Sequence, residues 1–130
     1  MQAKTYLKSI ALLTILFLSL IAHGQRMPTK PPEERAKNQV HWMEKNLGTT
    51  PEQNERGYEI LLKYFQDYDN AIAMGASGRQ KHMEKQGLIN TRNEKMKKLL
   101  SSEQYQKYQQ HIQEMNERSE ELKSYKHGGF

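Results

Sequence analysis

Beyond residue 24 the chain has few large aliphatic side chains, since Val, Ile, Leu and Phe together occupy only 14 of residues 25–130. So few cannot fill a thick core around a buried sheet or line a deep catalytic cleft. A thin α-helical assembly that a partner chain completes fits the number better. Full disorder is the competing interpretation, but the 18 basic and 15 acidic residues of this part nearly balance. The sequence contains no cysteine, which excludes disulfides and thiolate chemistry.

The first 24 residues have the layout of a secretory signal peptide. Two lysines precede an uncharged stretch, residues 10–22, that is rich in Leu and Ile. Ala22 and Gly24 then lie three and one positions before a cleavage point that leaves Gln25 as the first mature residue. The uncharged stretch has 13 residues, whereas a transmembrane helix needs about 20. We therefore expect export with cleavage, and no stable membrane anchor afterwards.

The rest of the chain predicts four helices and no strand, because apolar residues recur at helical spacing and no stretch alternates with period two. The predicted helices are residues 33–47, 51–74, 79–100 and 101–125. Three prolines predict a flexible leader over residues 25–32. Gly48 and residues 75–78 mark turns. Residues 126–130 are expected to form a disordered tail.

Two of the predicted helix starts share one pattern, 51 residues apart. Thr50 and Ser101 each supply a hydroxyl that can cap a helix, and Gln53 and Gln104 follow at the position that closes a capping box. A helical segment precedes each copy, so the repeat predicts two similar helical hairpins. The alternative explanation is that good helix starts resemble one another for local reasons.

No pattern in the chain indicates catalysis, and we expect neither enzyme activity nor a cofactor. Residues 75–78 have the spacing of neither a nucleophile elbow nor a phosphate loop. Asp67 and Asp69 lie two residues apart on a helix, so they point to nearly opposite faces and do not pair. His111 and Met115 lie on one helix face and have the ligand types that copper(I) prefers. Core filling by methionine is the simpler explanation, and no metal site is predicted.

The third predicted helix has cations and aliphatic residues along one side. This row consists of Lys81, Lys85, Leu88, Arg92 and Lys95. Such a surface attracts acidic or unstructured chains by long-range charge and holds them by weak apolar contact. Arg35 and Lys45 of the first helix are weaker additions to this predicted client-binding set. The alternative is an ordinary solvated face. Nucleic acid is not an expected partner, because the net charge after residue 24 is only +3.

The two capping motifs resemble the paired Leu-Thr-x-x-Gln motifs of the Spy/CpxP family of small periplasmic helical proteins. The resemblance also includes residues 34–37 (Glu-Arg-Ala-Lys), Trp42-Met43 and residues 47–53, and it covers roughly residues 33–125. The chain departs from the family pattern at Thr49, where Leu is usual, and at Ser101 and Ser102, where Thr and commonly Pro are usual.

This resemblance implies an all-α antiparallel homodimer, shaped as a shallow cradle, in the periplasm. Relatives of this kind bind unfolded or partly folded proteins without ATP, and others damp envelope stress signalling or bind metal ions. The expected function is that of an ATP-independent chaperone whose partners are non-native proteins. The alternative is a regulatory or metal-sensing protein of the same family. Thr50, Gln53, Ser101 and Gln104 match motif positions, and we assign them structural roles.

Overall fold

Four helices make up the part of the chain that the computed structural model describes, residues 29–75 and 77–128, with side chains as far as residue 125. They are α1 (Pro32–Leu47), α2 (Pro51–Ala73), α3 (Gly78–Leu99) and α4 (Ser102–Gly128). No strand occurs within these residues. The predicted all-α class and the number of helices are therefore confirmed for this part. The predicted signal peptide and the first four residues of the leader lie outside it.

Local sequence signals place the ends of α1. Residues 29–31 have no regular structure, and Pro32 begins the helix at a position that needs no backbone donor. Glu33 and Glu34 lie in the first turn, where the helix dipole favours negative charge. Gly48 ends the helix with φ at 61°, in the left-handed region that a side chain disfavours.

α2 and α3 are separate helices, and Met74, Gly75 and Ser77 lie outside both. The backbone N–H of Met74 donates to the carbonyl of Asn70 at 3.0 Å and closes the last turn of α2. Ser77 then caps α3 by accepting a hydrogen bond from the backbone N–H of Gln80 at 3.3 Å. The turn was predicted, but the cap at Ser77 was not.

The last helix is longer than the sequence indicated. α4 continues to Gly128, three residues past the predicted end at Tyr125. The predicted tail, residues 126–130, therefore overlaps the last turn of α4 at residues 126–128. The first residue after Tyr125 that disfavours a helix is Gly128 itself.

A small core joins all four helices and is built partly from methionine. Its buried members are Ala36, Met43, Leu61, Met96, Leu100 and Tyr108. Met43 and Met96 have no exposed surface, in agreement with core filling. A side-chain carbon added at Gly57 of α2 would lie 3.3 Å from the terminal methyl of Met43, so glycine permits close approach there.

α2 is the central helix, because it packs along both α1 and α3. α4 contacts α1 and α3 less extensively. The sequence predicted a second hairpin formed by α3 and α4. These two helices make only a small contact, because α3 packs mainly on α2. The aromatic side chains of α2 explain this, because Tyr64 and Tyr68 lie beneath the cations Arg92 and Lys85 of α3.

None of the described helices is both long and apolar enough to cross a membrane.

Candidate functional site

The two sequence motifs meet at one hydrogen-bonded junction. In the first motif, the Thr50 hydroxyl accepts from the backbone N–H of Gln53 at 3.1 Å. The Gln53 side-chain oxygen accepts from the backbone N–H of Thr50 at 3.0 Å. In the second motif, the corresponding distances from Ser101 to Gln104 are 3.2 and 3.0 Å. Both motifs thus form complete capping boxes.

The two glutamines also bind each other. The Gln53 amide nitrogen donates to the Gln104 oxygen at 2.9 Å, and the Gln104 nitrogen donates to the Gln53 oxygen at 3.3 Å. Each nitrogen has a second acceptor at the end of a helix, which is the carbonyl of Leu99 for Gln53 (3.1 Å) and of Leu47 for Gln104 (3.2 Å). Every donor and acceptor of both amides is therefore satisfied. We call this arrangement the glutamine pair.

The glutamine pair ties the α1–α2 turn to the α3–α4 turn. Each glutamine lies in the first turn of one helix and bonds to the last residue of a helix from the other half of the chain. The repeat in the sequence indicated two similar helix starts, but it did not indicate that they would meet. A motif that occurs twice in a sequence does not indicate how the two helices that carry it are oriented relative to each other.

The structure separates the members of the predicted client-binding row. Lys95 is exposed, whereas Lys81, Lys85 and Leu88 are half-buried. Arg92 is only 6% exposed, and its guanidinium lies over the Tyr64 ring at 4.5 Å from the centroid. The expectation that Arg92 belongs to an accessible row is therefore corrected, because α3 turns this residue towards α2.

The additional cations from α1 also differ from each other. Arg35 forms an ion pair with Asp69, and its guanidinium lies 4.6 Å from the centroid of the Phe65 ring. Lys45 is exposed. Of the two, Lys45 is the one whose charge faces solvent.

An apolar groove of about 380 Å³ lies between α1 and α4. Trp42 of α1 and His111 of α4 stack beside it, with ring centroids 3.6 Å apart and planes at 8°. Burial lowers the pKa of His111, Glu114 opposes this shift and Arg118 adds to it. Met115 and Phe65 also line the groove. Sequence spacing had placed His111 and Met115 on one face, but not against Trp42.

Within the described residues, no group of three or more His, Asp or Glu side chains is arranged to hold a metal ion. His111 and Met115 both line the groove beside Trp42.

The chain matches no known family model, no curated protein and no solved structure.

Proposed function

We propose that this protein is an exported, ATP-independent chaperone of the Spy/CpxP type, which binds unfolded or partly folded proteins in the periplasm and limits their aggregation. The glutamine pair is the observation that carries this proposal. The motif residues on which the family resemblance rests, Gln53 and Gln104, are the residues that connect the two halves of this fold. A motif that organises the structure is stronger support than a short sequence match.

The proposed working form is an antiparallel homodimer. The second half of α4 leaves its apolar side chains uncovered within the described monomer, with Met115 49%, Leu122 60% and Tyr125 80% exposed. A helix that presents such residues on one side is typical of a surface that another helix covers. A second copy of the chain would bury them and extend the thin four-helix layer into a cradle.

The proposed client surface is the accessible part of the basic row on α3. It contains Lys81, Leu88 and Lys95, with Lys45 of α1 as an additional cation. Arg92, Lys85 and Arg35 are left out because aromatic rings of α2, and for Arg35 also Asp69, already hold their charged groups. Dispersed charge accelerates encounter, and small apolar contacts keep binding weak and reversible, so release needs no nucleotide.

A light-scattering assay of a denatured client tests this function. We expect the protein to suppress aggregation, and a variant with both Lys81→Glu and Lys95→Glu to suppress it less. The matched control carries Lys37→Glu and Lys97→Glu, which make the same change of charge at exposed positions away from the row. Suppression by the unchanged protein should weaken as salt shortens the Debye length to about 10 Å at 0.1 M.

Circular dichroism should show unchanged helix content in both double variants. Absence of suppression at several-fold molar excess of the unchanged protein would refute the chaperone proposal. Equal loss in the row variant and in its control would refute the proposed surface alone.

Export is tested separately, by intact-mass analysis of protein recovered from the cell envelope. We expect a mature chain that begins at Gln25. A retained Met1 would contradict cleavage.

A regulatory or metal-sensing role in the envelope stress response is the second candidate, and the position of His111 and Met115 on one groove favours it. Calorimetry with zinc and with copper(I) tests this role. Tight stoichiometric binding that His111→Ala abolishes would support metal sensing over client binding.

A further inference from the structure

Arg92 is a buried cation that lacks an acidic partner. Both of its hydrogen bonds go to the neutral side-chain oxygen of Asn93, at 3.2 Å from Nε and 3.0 Å from Nη2. No Asp or Glu of the described residues forms an ion pair with it. Arg35 lies over another aromatic ring of α2 and is a useful comparison, because its charge is compensated by Asp69.

Such a cation is costly to keep. Taking a charge out of water is unfavourable unless an opposite charge and further hydrogen bonds replace the lost hydration. The face of the Tyr64 ring, at 4.5 Å, supplies part of this compensation. A formal negative charge is still missing.

A cavity of about 420 Å³ lies beside Arg92, between α2, α3 and α4. Its size is within the usual range for small-molecule sites. Tyr64, Ile89 and Ile112 contribute aromatic and aliphatic surface to it. Exposed amide side chains of α4, Gln109 and Gln113, lie where the cavity meets solvent.

Tyr108 lines the same cavity, and its buried hydroxyl has no hydrogen-bond partner within the described structure. Tyr108 has no exposed surface. Burial raises its pKa to about 12, although the charge of Arg92 opposes the shift, so the hydroxyl keeps its proton at neutral pH. A residue with an unused donor and a cation without an acidic partner therefore line one cavity.

We propose that this cavity binds a small carboxylic acid with an apolar or aromatic body. Arg92 would hold the carboxylate, Tyr108 would donate a hydrogen bond to it, and the rings and aliphatic side chains would cover the body. One buried positive charge balances a monoanion, whereas a phosphate dianion would leave negative charge uncompensated. The proposal does not depend on the chaperone function.

Calorimetry with sodium benzoate, on protein isolated from the envelope of cells that express the full chain, tests the proposal. We expect one site per chain, and no heat of binding from benzamide, which has the same shape without the charge. Arg92→Met should weaken benzoate binding by about 10- to 100-fold, the range for a charge-assisted hydrogen bond. Tyr108→Phe should weaken it less.

Lys98→Met is the matched control, because it removes the same charge from an exposed position further along α3 and should leave the affinity unchanged. Arg92→Lys keeps the charge and shows whether a forked donor is needed, should Arg92→Met fail to fold by circular dichroism. Absence of benzoate binding at millimolar concentration would overturn the proposal. Equal weakening by Lys98→Met and Arg92→Met would overturn it too. Loss of a dimer in Arg92→Met would also overturn it, because that result would assign the missing carboxylate to a second copy.

Discussion

Gln53 and Gln104 show how a single amide can serve both a helix end and a tertiary contact. Each closes its own capping box with its oxygen and joins the opposite half of the fold with its nitrogen. A lost amide would leave a helix-end carbonyl, Leu99 or Leu47, without its side-chain donor. A partly buried group that loses its hydrogen bond lowers the free energy of unfolding. The effects of replacing the two glutamines should therefore be energetically coupled.

Replacing either glutamine by alanine should lower the free energy of unfolding by about 1–3 kcal/mol in urea denaturation. The free energy of unfolding should fall less in the double variant than the sum of the two single effects, because each single variant already loses the hydrogen bonds between the glutamines. Gln80→Ala is the control, since Gln80 follows the Ser77 cap but its side chain makes one hydrogen bond, to Glu84 of the same helix. It should change stability by at most about 0.5 kcal/mol. Strictly additive losses would contradict the coupling.

His111 should make the protein less stable in acid. Burial lowers its pKa in the folded state below the ordinary 6.5, so between the two values the unfolded chain binds more protons. The free energy of unfolding should therefore fall as the pH drops through 6.5 towards the folded pKa. Urea midpoints against pH measure this, and His111→Gln should flatten the dependence.

Trp42 reports the same protonation directly, because it is the only tryptophan in the chain and stacks on His111. Its fluorescence should change with a midpoint below pH 6.5. At pH 8 the imidazole is neutral in both states, so fluorescence there is the reference. A midpoint above 6.5, or an unchanged pH slope in His111→Gln, would contradict the assigned shift.

The helices differ in what stabilises them. α1 begins at Pro32 and ends at Gly48, and α2 begins with the Thr50 capping box, all of which are strong local signals. α3 has a single side-chain cap and contains Gly87 in its interior. It is kept in place mainly by packing on α2, where Arg92 and Lys85 cover aromatic rings. α3 should therefore gain most from improved helix propensity.

Gly87→Ala should raise the free energy of unfolding by about 0.5–1 kcal/mol in thermal or urea denaturation, because no atom lies within 4 Å of the added carbon. Gly48→Ala is the matched comparison. It also meets no atom within 4 Å, but its φ of +61° is unfavourable for alanine, and the change should cost about 1–2 kcal/mol. If both changes stabilised the protein, the space around the added carbon, and not the backbone φ, would determine the effect of the substitution.

Across the whole molecule, the apolar surface is unevenly covered. The core lies where all four helices meet, and Tyr108 of α4 is part of it. From residue 113 to residue 125, in contrast, every side chain of α4 is exposed. The length of α4 therefore exceeds what the other described helices can cover, which is the physical basis for proposing a dimer.

Sedimentation at micromolar concentration should give twice the mass of the mature chain. Leu122→Lys should shift the protein towards monomer, because it places a charge in the proposed interface. Ser124→Lys, an exposed change two residues along and on the other side of α4, should leave the dimer intact. A well-folded monomer of the unchanged protein would contradict the proposed assembly.

The positions of helix ends and caps depend on residues within about one turn, so they could be predicted from the sequence. Thr50 with Gln53, Ser101 with Gln104, and Gly48 could each be interpreted without knowledge of the rest of the chain. The side of each helix that faces a neighbour depends on packing between distant segments. Arg92 looked like one more cation in an exposed row, because its spacing is the same whether α3 turns that row towards solvent or towards α2. The glutamine pair, the stack of Trp42 on His111 and the uncompensated charge at Arg92 all arise where helices cross, so they followed from the tertiary structure and not from the sequence pattern.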